Sequence, residues 1–201
     1  TMTQSDWWDD GVFQEWESLP WDTGIHDKNI KEILEQYPVS GSVLELGCGY
    51  GNDARWFADN GFDVTAIDIS AKAIDMAISK GGDIEYLVED ARTFSSDKKF
   101  DLVYDRGYTH NEAIGSNGQN IVRNLFLRIH SLLKSSGKFI ILSGNPNAKG
   151  SAYPTPCPLY ISQVEKSCLD LFNIKLVKEI IFEQNAAFEH SLGWIFVLEK
   201  K

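Results

Sequence analysis

The sequence predicts a doubly wound α/β fold, a mainly parallel sheet with helices on both faces in three layers. From Ser42 onward, short apolar, β-branched runs alternate with helical patterns, as in βαβ units joined by right-handed crossovers. Gly61, Gly81, Gly82 and Gly137 stand where helices should stop, as C-terminal glycines do. The 201 residues suffice for one full core.

Strand patterns fall at residues 42–46, 63–67, 84–88, 100–104 and 138–143, with helical patterns at 53–60, 70–80 and 119–133 between them. The tail breaks this rhythm. Ser162-Gln163-Val164-Glu165 has the capping-box pattern and opens a helix to about residue 171. Residues 174–183 and 194–199 then read as two strands with no helix between them, an antiparallel pair at a sheet edge. Residues 144–160, rich in Pro, Gly, Asn and Ser, form a connection long enough to be functional. No repeat or linker divides the chain, so we expect a single domain over 1–201: an N-terminal helical segment (1–38), a core (39–143), and a loop, helix and strand pair (144–201).

The net charge of −10 repels a phosphate backbone, and no Lys/Arg cluster exceeds pairs such as Lys98-Lys99. The expected partner is a small molecule, neutral or cationic, and not a nucleic acid. No apolar run approaches the roughly 20 residues that span a bilayer, and the acidic start lacks a secretory n-region. Thr1 ahead of Met2 reads as a remnant outside the fold. Cys48, Cys157 and Cys168 are odd in number with no Cys-x-x-Cys, and the four histidines are scattered. We therefore expect neither disulfides nor a metal site, and a reducing cytoplasm.

The sharpest local signal is Val43-Leu44-Glu45-Leu46-Gly47-Cys48-Gly49-Tyr50-Gly51, a strand ending in a carboxylate and a glycine-rich turn that feeds a helix. Such a turn lets a ligand approach backbone. A dinucleotide fingerprint needs a small residue at position 52, which is Asn52, and Glu45 would repel pyrophosphate. A cationic ligand without phosphate, S-adenosylmethionine, suits this turn better than NAD. Asp68, with Ile69 after it, ends the second strand about 20 residues past the turn, where an acid accepts from ribose hydroxyls. Asp90, followed by Ala91, lies after the third strand, where it can accept from an adenine amino group; Asp105 ends the fourth. Cys48 reads as a small filler.

These residues resemble the class I S-adenosylmethionine-dependent methyltransferases. A narrower similarity links Trp7, Trp16, Pro20-Trp21-Asp22-x-Gly24, Trp56-Phe57-Ala58-Asp59-x-Gly61 and Asp105-Arg106-Gly107 to the thiopurine, thiol and tellurite-resistance methyltransferase group. The resemblance implies a Rossmann-like, seven-stranded sheet in the order 3-2-1-4-5-7-6 with an antiparallel last strand. It implies that residues 1–38 form a lid with Trp21 over the cofactor, Trp7, Trp8 and Trp16 packing, and that Asp105 and Arg106 face the methionine part and the acceptor. Asp105 and Arg106 can equally form a structural ion pair.

His110 is the best general-base candidate, because histidine titrates near neutrality; a solvated loop histidine is the plainer alternative. Tyr108 and Glu112 flank it, and Tyr153, Cys157, Pro158 and Tyr160 would close the far side of the pocket. The expected function is transfer of the S-adenosylmethionine methyl group to a thiol or other soft nucleophile, releasing S-adenosylhomocysteine, by a monomer or weak homodimer. An N- or O-acceptor on the same scaffold, a non-catalytic S-adenosylmethionine-binding protein and an NAD-dependent oxidoreductase are the competing readings.

Overall fold

A computed structural model describes residues 3–12, 19–147, 158–184 and 191–201. Strands β1 (Ser42–Leu46), β2 (Asp63–Asp68), β3 (Ile84–Val88), β4 (Phe100–Arg106), β5 (Leu133–Gly144), β6 (Phe172–Phe182) and β7 (Ser191–Lys200) form one sheet in the order 3-2-1-4-5-7-6. β1 to β5 pair in parallel, and β7 runs antiparallel to both β5 and β6. The helices are α1 (Gln4–Asp6, continued by a π-turn Trp7–Val12), α2 (Asn29–Gln36), α3 (Asn52–Asp59), α4 (Ala71–Ser79), α5 (Thr109–Glu112), α6 (Gly118–Leu132) and α7 (Ile161–Cys168).

Every residue of β1 is buried, as a central parallel strand requires. Successive side chains point to opposite faces. Leu44 and Leu46 join the core beneath α6, with Phe126 and Ile129, while Val43 packs with Ile30 and Ile33 of α2 and Phe57 of α3. Phe57 stacks edge-on against Tyr104 at 5.1 Å and Phe62 at 5.3 Å. The same alternation runs along β4. Leu102 and Tyr104 face α2 and α3, and Val103 faces α6.

Several elements differ from expectation at their ends. β4 continues through Asp105 to Arg106, because both still pair with β5. β5 begins at Leu133, directly after α6, so Gly137 lies inside a strand and stops no helix. A Cβ at Gly137 would stand 2.9 Å from the Lys134 carbonyl oxygen, so close backbone approach explains this glycine. Gly61, Gly81 and Gly82 do adopt the left-handed conformation, at φ 84°, 80° and 110°. Helix α7 is capped from Tyr160, whose N–H donates to Gln163 Oε1 at 3.0 Å, and not from Ser162.

Candidate active site

The carboxyl ends of β1 and β4, where the winding reverses, are where open α/β sheets hold ligands. Gly47, Gly49 and Gly51 leave β1 at φ 59°, 52° and 70°, left-handed values that disfavour any side chain. A Cβ at Gly47 would meet Tyr108 at 3.2 Å and one at Gly51 would strike the Tyr86 hydroxyl, whereas one at Gly49 would meet nothing within 4 Å. Side chains at two of the glycines would thus press on tyrosines, and the third leaves open space beside the turn.

Glu45 is only 4% exposed, and its Oε2 is sealed without a hydrogen-bond partner. Burial, reinforced by the charges of Asp53 and Asp68, holds this carboxyl well above the usual carboxylate range. A buried carboxylate short of a partner is costly, and an ammonium group would supply what it lacks. The donor set therefore fits the cationic amino-acid end of S-adenosylmethionine.

Strand parity separates the last two residues of β4. Arg106 turns to the same face as Tyr104 and is almost fully buried. Its Nε donates to Asp27 Oδ2 at 2.9 Å, its Nη1 to the Trp21 carbonyl at 3.1 Å and its Nη2 to the Glu183 carbonyl at 2.6 Å. Its guanidinium also covers the Phe182 ring at 4.8 Å. Arg106 is therefore a clasp joining the N-terminal segment and the end of β6 to the sheet, and its ion pair is with Asp27 and not with Asp105. Asp53 completes this cluster, accepting from Asp27 N–H at 2.7 Å and Tyr104 Oη at 3.1 Å. Burial pushes Asp53 up to about 6 against the pull of Arg106.

Asp105 turns to the opposite face, fully buried, and caps α5 by accepting from the N–H groups of Tyr108 at 2.7 Å and Thr109 at 2.8 Å. Burial pushes it up to about 6 although those donors oppose the shift. His110 departs from the solvated-loop alternative. It is buried, not solvated, and its Nδ1 accepts the Gly144 N–H at 3.0 Å. Burial, then the Arg106 charge, depresses it to about 3, which keeps the imidazole neutral. Tyr108 Oη is sealed without a partner, and buried Glu112 accepts from Gln4 Nε2 at 3.4 Å.

Asp68 fastens the glycine turn, accepting from Gly49 N–H and Ser70 N–H, each at 2.9 Å. Burial raises its carboxyl against those two donors, and each oxygen keeps lone-pair capacity for a hydroxyl. Half-buried Ile69 lies between Asp68 and Ser70. Cys48 is buried, its N–H donates to the Ile67 carbonyl at 3.0 Å, and burial raises its thiol well above the usual range. Asp90 is not a free acceptor. Arg92 grips both its oxygens at 2.6 to 3.0 Å, outweighing burial and holding the carboxyl low. Ala91 is buried in the core beneath α6.

Residues 3–12 run from α4 to α5. Asp9 accepts from Ser70 Oγ and Lys72 N–H, Lys72 Nζ reaches the Asp9 carbonyl at 2.7 Å and Asp10 at 3.1 Å, and Gln4 meets Glu112. Trp8 stacks edge-on with half-buried Trp21 at 5.9 Å, while Trp7 is 49% exposed. Asp22 accepts from Asn52 Nδ2 at 2.6 Å. Tyr160 is exposed and Pro158 bridges Gly144; Trp16, Tyr153 and Cys157 lie outside the described residues. Asp9, Asp27, Asp53 and Tyr104 escaped the sequence reading. Only Asp53, in the first turn after the glycine loop, carried a local signal. Among the described residues no cluster of His, Cys, Asp or Glu is placed to hold a metal, and no helix is long and apolar enough to cross a membrane.

Residues 43–137 match the family described as "Methyltransferase domain". A probable thiol methyltransferase 2 of Arabidopsis thaliana is 31% identical over 171 residues, covering 80% of this chain and 72% of that protein. Thiocyanate methyltransferase 1 of Brassica oleracea is 27% identical over 115 residues, covering 52% and 48%. A structure solved for conversion of a disulfide bond into a thioacetal group in echinomycin biosynthesis superimposes with a TM-score of 0.78 at 20% identity, covering 92% and 85%. Magnesium protoporphyrin IX methyltransferase from Synechocystis PCC 6803, solved with bound S-adenosylmethionine, gives 0.64 at 16% identity, covering 85% and 76%. The two structures establish likeness of fold alone; the Arabidopsis protein, matched along most of both chains, carries kinship as well, and the chain belongs to the S-adenosylmethionine-dependent methyltransferases.

Proposed function

We propose that this methyltransferase acts on a small molecule whose attacking atom is sulfur, with other soft nucleophiles next in order. The observation that carries the cofactor end of this reading is the buried, unpartnered Glu45 Oε2 near the end of the strand that runs into the glycine turn. Bound S-adenosylmethionine supplies an activated sulfonium methyl group. Glu45 would hold its ammonium, directly or through water, and Asp68 its ribose hydroxyls. Gly47, Cys48, Gly49 and Gly51 would border its methionine part, with Ile69 and Ala91 beside the adenine. Trp21 and residues 3–12 would cover it from the solvent side. Asp105 would act by setting α5, and Asp90 is given no ligand.

The sulfur assignment is supported by the names of the plant relatives, thiol and thiocyanate methyltransferases. It is supported again by acid–base chemistry: burial and the Arg106 charge depress His110 to about 3, which makes it a weak proton acceptor, so an acceptor that arrives ionised suits the site. A thiol of pKa about 8.5 is partly ionised at neutral pH and needs no strong base. Alignment and exclusion of water by such residues can lower the barrier by roughly 7–11 kcal/mol. The net charge of −10 favours a small acceptor over a nucleic acid, and the sparse cysteines favour a reducing cytoplasm.

Isothermal titration with S-adenosylhomocysteine, followed by turnover on a panel of thiols, tests the reading. Micromolar binding with a methylated thiol is the expected result. Binding without turnover on any thiol would refute the acceptor class, and absence of binding would refute the role given to Glu45 and Asp68.

A further inference from the structure

The hydrogen bond between Gly144 and His110 fixes which proton the imidazole carries. Nδ1 accepts the Gly144 N–H at 3.0 Å, and a ring nitrogen that accepts carries no hydrogen, so the neutral ring holds its proton on Nε2. That Nε2–H has no hydrogen-bond partner among the described residues, and it is not among their sealed, unpartnered atoms. It lies beside Gly107, where a Cβ would stand 3.6 Å away, and its ring is 6.0 Å from the Phe182 ring. Arg106, from β4, is the charged group that acts on it. Of the two carboxylates nearest in sequence, Glu112 accepts from Gln4 Nε2 and Asp105 turns its oxygens to Tyr108 and Thr109 N–H. Gly107 and Gly144 mark the carboxyl ends of β4 and β5, next to the glycine turn that follows β1.

We propose that His110 is the specificity-determining residue for the acceptor: its fixed Nε2–H, backed by Arg106, holds the attacking atom as a monoanion, so the acceptor class is a soft anion, a thiolate first, that arrives deprotonated. This rests on the methyl-transfer reading given above. The acceptor sulfur donates its lone pair to the methyl carbon, the bond from that carbon to the sulfonium sulfur breaks with its electron pair going to that sulfur, and no proton moves. An unpartnered N–H donor beside an aromatic ring suits such an atom, because it stabilises negative charge without taking it up.

The test uses the full chain, labelled with 15N in its imidazoles and saturated with S-adenosylhomocysteine, titrated with sodium iodide as a soft anion that cannot be methylated there. A saturable shift of the His110 Nε2–H resonance, absent with sodium sulfate at equal ionic strength, is expected. No saturable shift, an equal shift with sulfate, or a proton resident on Nδ1 would each overturn the proposal.

The kinetic counterpart compares His110→Leu with His110→Gln, which keeps an N–H donor. Loss of a hydrogen bond to a charged group should raise the thiol KM roughly tenfold to a hundredfold in the leucine variant with kcat little changed, and glutamine should restore most of it. Equal KM values in wild type and leucine variant would overturn the proposal. If no thiol is turned over, the acceptor reading above fails, while the iodide titration still decides the role of His110.

Discussion

Burying a neutral histidine at position 110 makes the fold acid-sensitive at one identifiable place. The folded imidazole has its proton affinity depressed to about 3 from the ordinary 6.5. The unfolded chain therefore takes up this proton first, so the stability it contributes is complete above 6.5 and is lost as pH falls toward about 3. Between about pH 8 and about pH 5 that loss amounts to about 2 kcal/mol. Asp53 and Asp105 act in the opposite direction. Burial raises each from 3.8 to about 6, so the folded chain protonates them first, and each adds about 1.4 kcal/mol over the same interval. The wild-type stability alone would thus change little and hide all three groups. The difference between wild type and His110→Gln isolates the histidine, since the packing cost of the substitution is common to both pH values. Urea unfolding of both proteins at about pH 8 and about pH 5 should show the variant gaining about 2 kcal/mol on the wild type with acidification. A difference that does not change with pH would refute the buried neutral imidazole, and with it the donor role of Nε2.

Replacing Glu45 with Gln should weaken S-adenosylmethionine binding by about tenfold or more in isothermal titration, by loss of a charge-assisted contact. The thermal midpoint of the apoprotein should hold or rise, because an unpartnered buried carboxylate has been removed; unchanged affinity would exclude Glu45 as a ligand. Arg106→Met leaves Asp27 buried without its cation and should cost about 3–5 kcal/mol by urea unfolding, largely recovered when Asp27→Asn is added. Failure of the second change to recover stability would assign the cost to the carbonyls of Trp21 and Glu183 instead. Ala at Gly49 should cost about 1–2 kcal/mol for its left-handed backbone and lower cofactor affinity, while Ala at Gly51 should cost more because it also displaces Tyr86. Equal costs from thermal unfolding would contradict the packing seen at the turn.

The central part of the sheet was legible because its signals are local. β1 and β3 begin and end at the residues expected, 42–46 and 84–88, since β-branched and apolar runs bounded by glycine or acid mark them. The ends of β2 and β4 were read short because Asp68, Asp105 and Arg106 are polar, yet each still pairs with a neighbouring strand. That shortfall had a consequence at the site: once β4 is followed to Arg106, alternation alone puts Asp105 and Arg106 on opposite faces. The acids at strand ends stand out in the sequence, but their partners do not. The Arg92 grip on Asp90 spans two residues and was within reach of the sequence. The Asp27–Arg106 pair spans 79 residues, and the Gly144–His110 bond spans 34; nothing in the local pattern around either residue announces them. The histidine looked like a base because its ordinary pKa is near neutral, and only tertiary burial changes that.

The strap formed by residues 3–12 bears on how fast the protein can work. It is fastened at one end by Asp9 and Asp10 to Ser70 and Lys72 and at the other by Gln4 to Glu112. On the proposed placement of the cofactor, spent product leaves only after one fastening opens. The Lys72–Asp10 pair is open to solvent, its side chains 44% and 68% exposed, so salt screens it, whereas the clasp around Arg106 is buried and screened far less. Ionic strength therefore loosens the gate without disturbing the reacting groups. A turnover number that climbs with added salt, while single-turnover methyl transfer stays constant, would identify departure, rather than bond-making, as the slow event of the cycle.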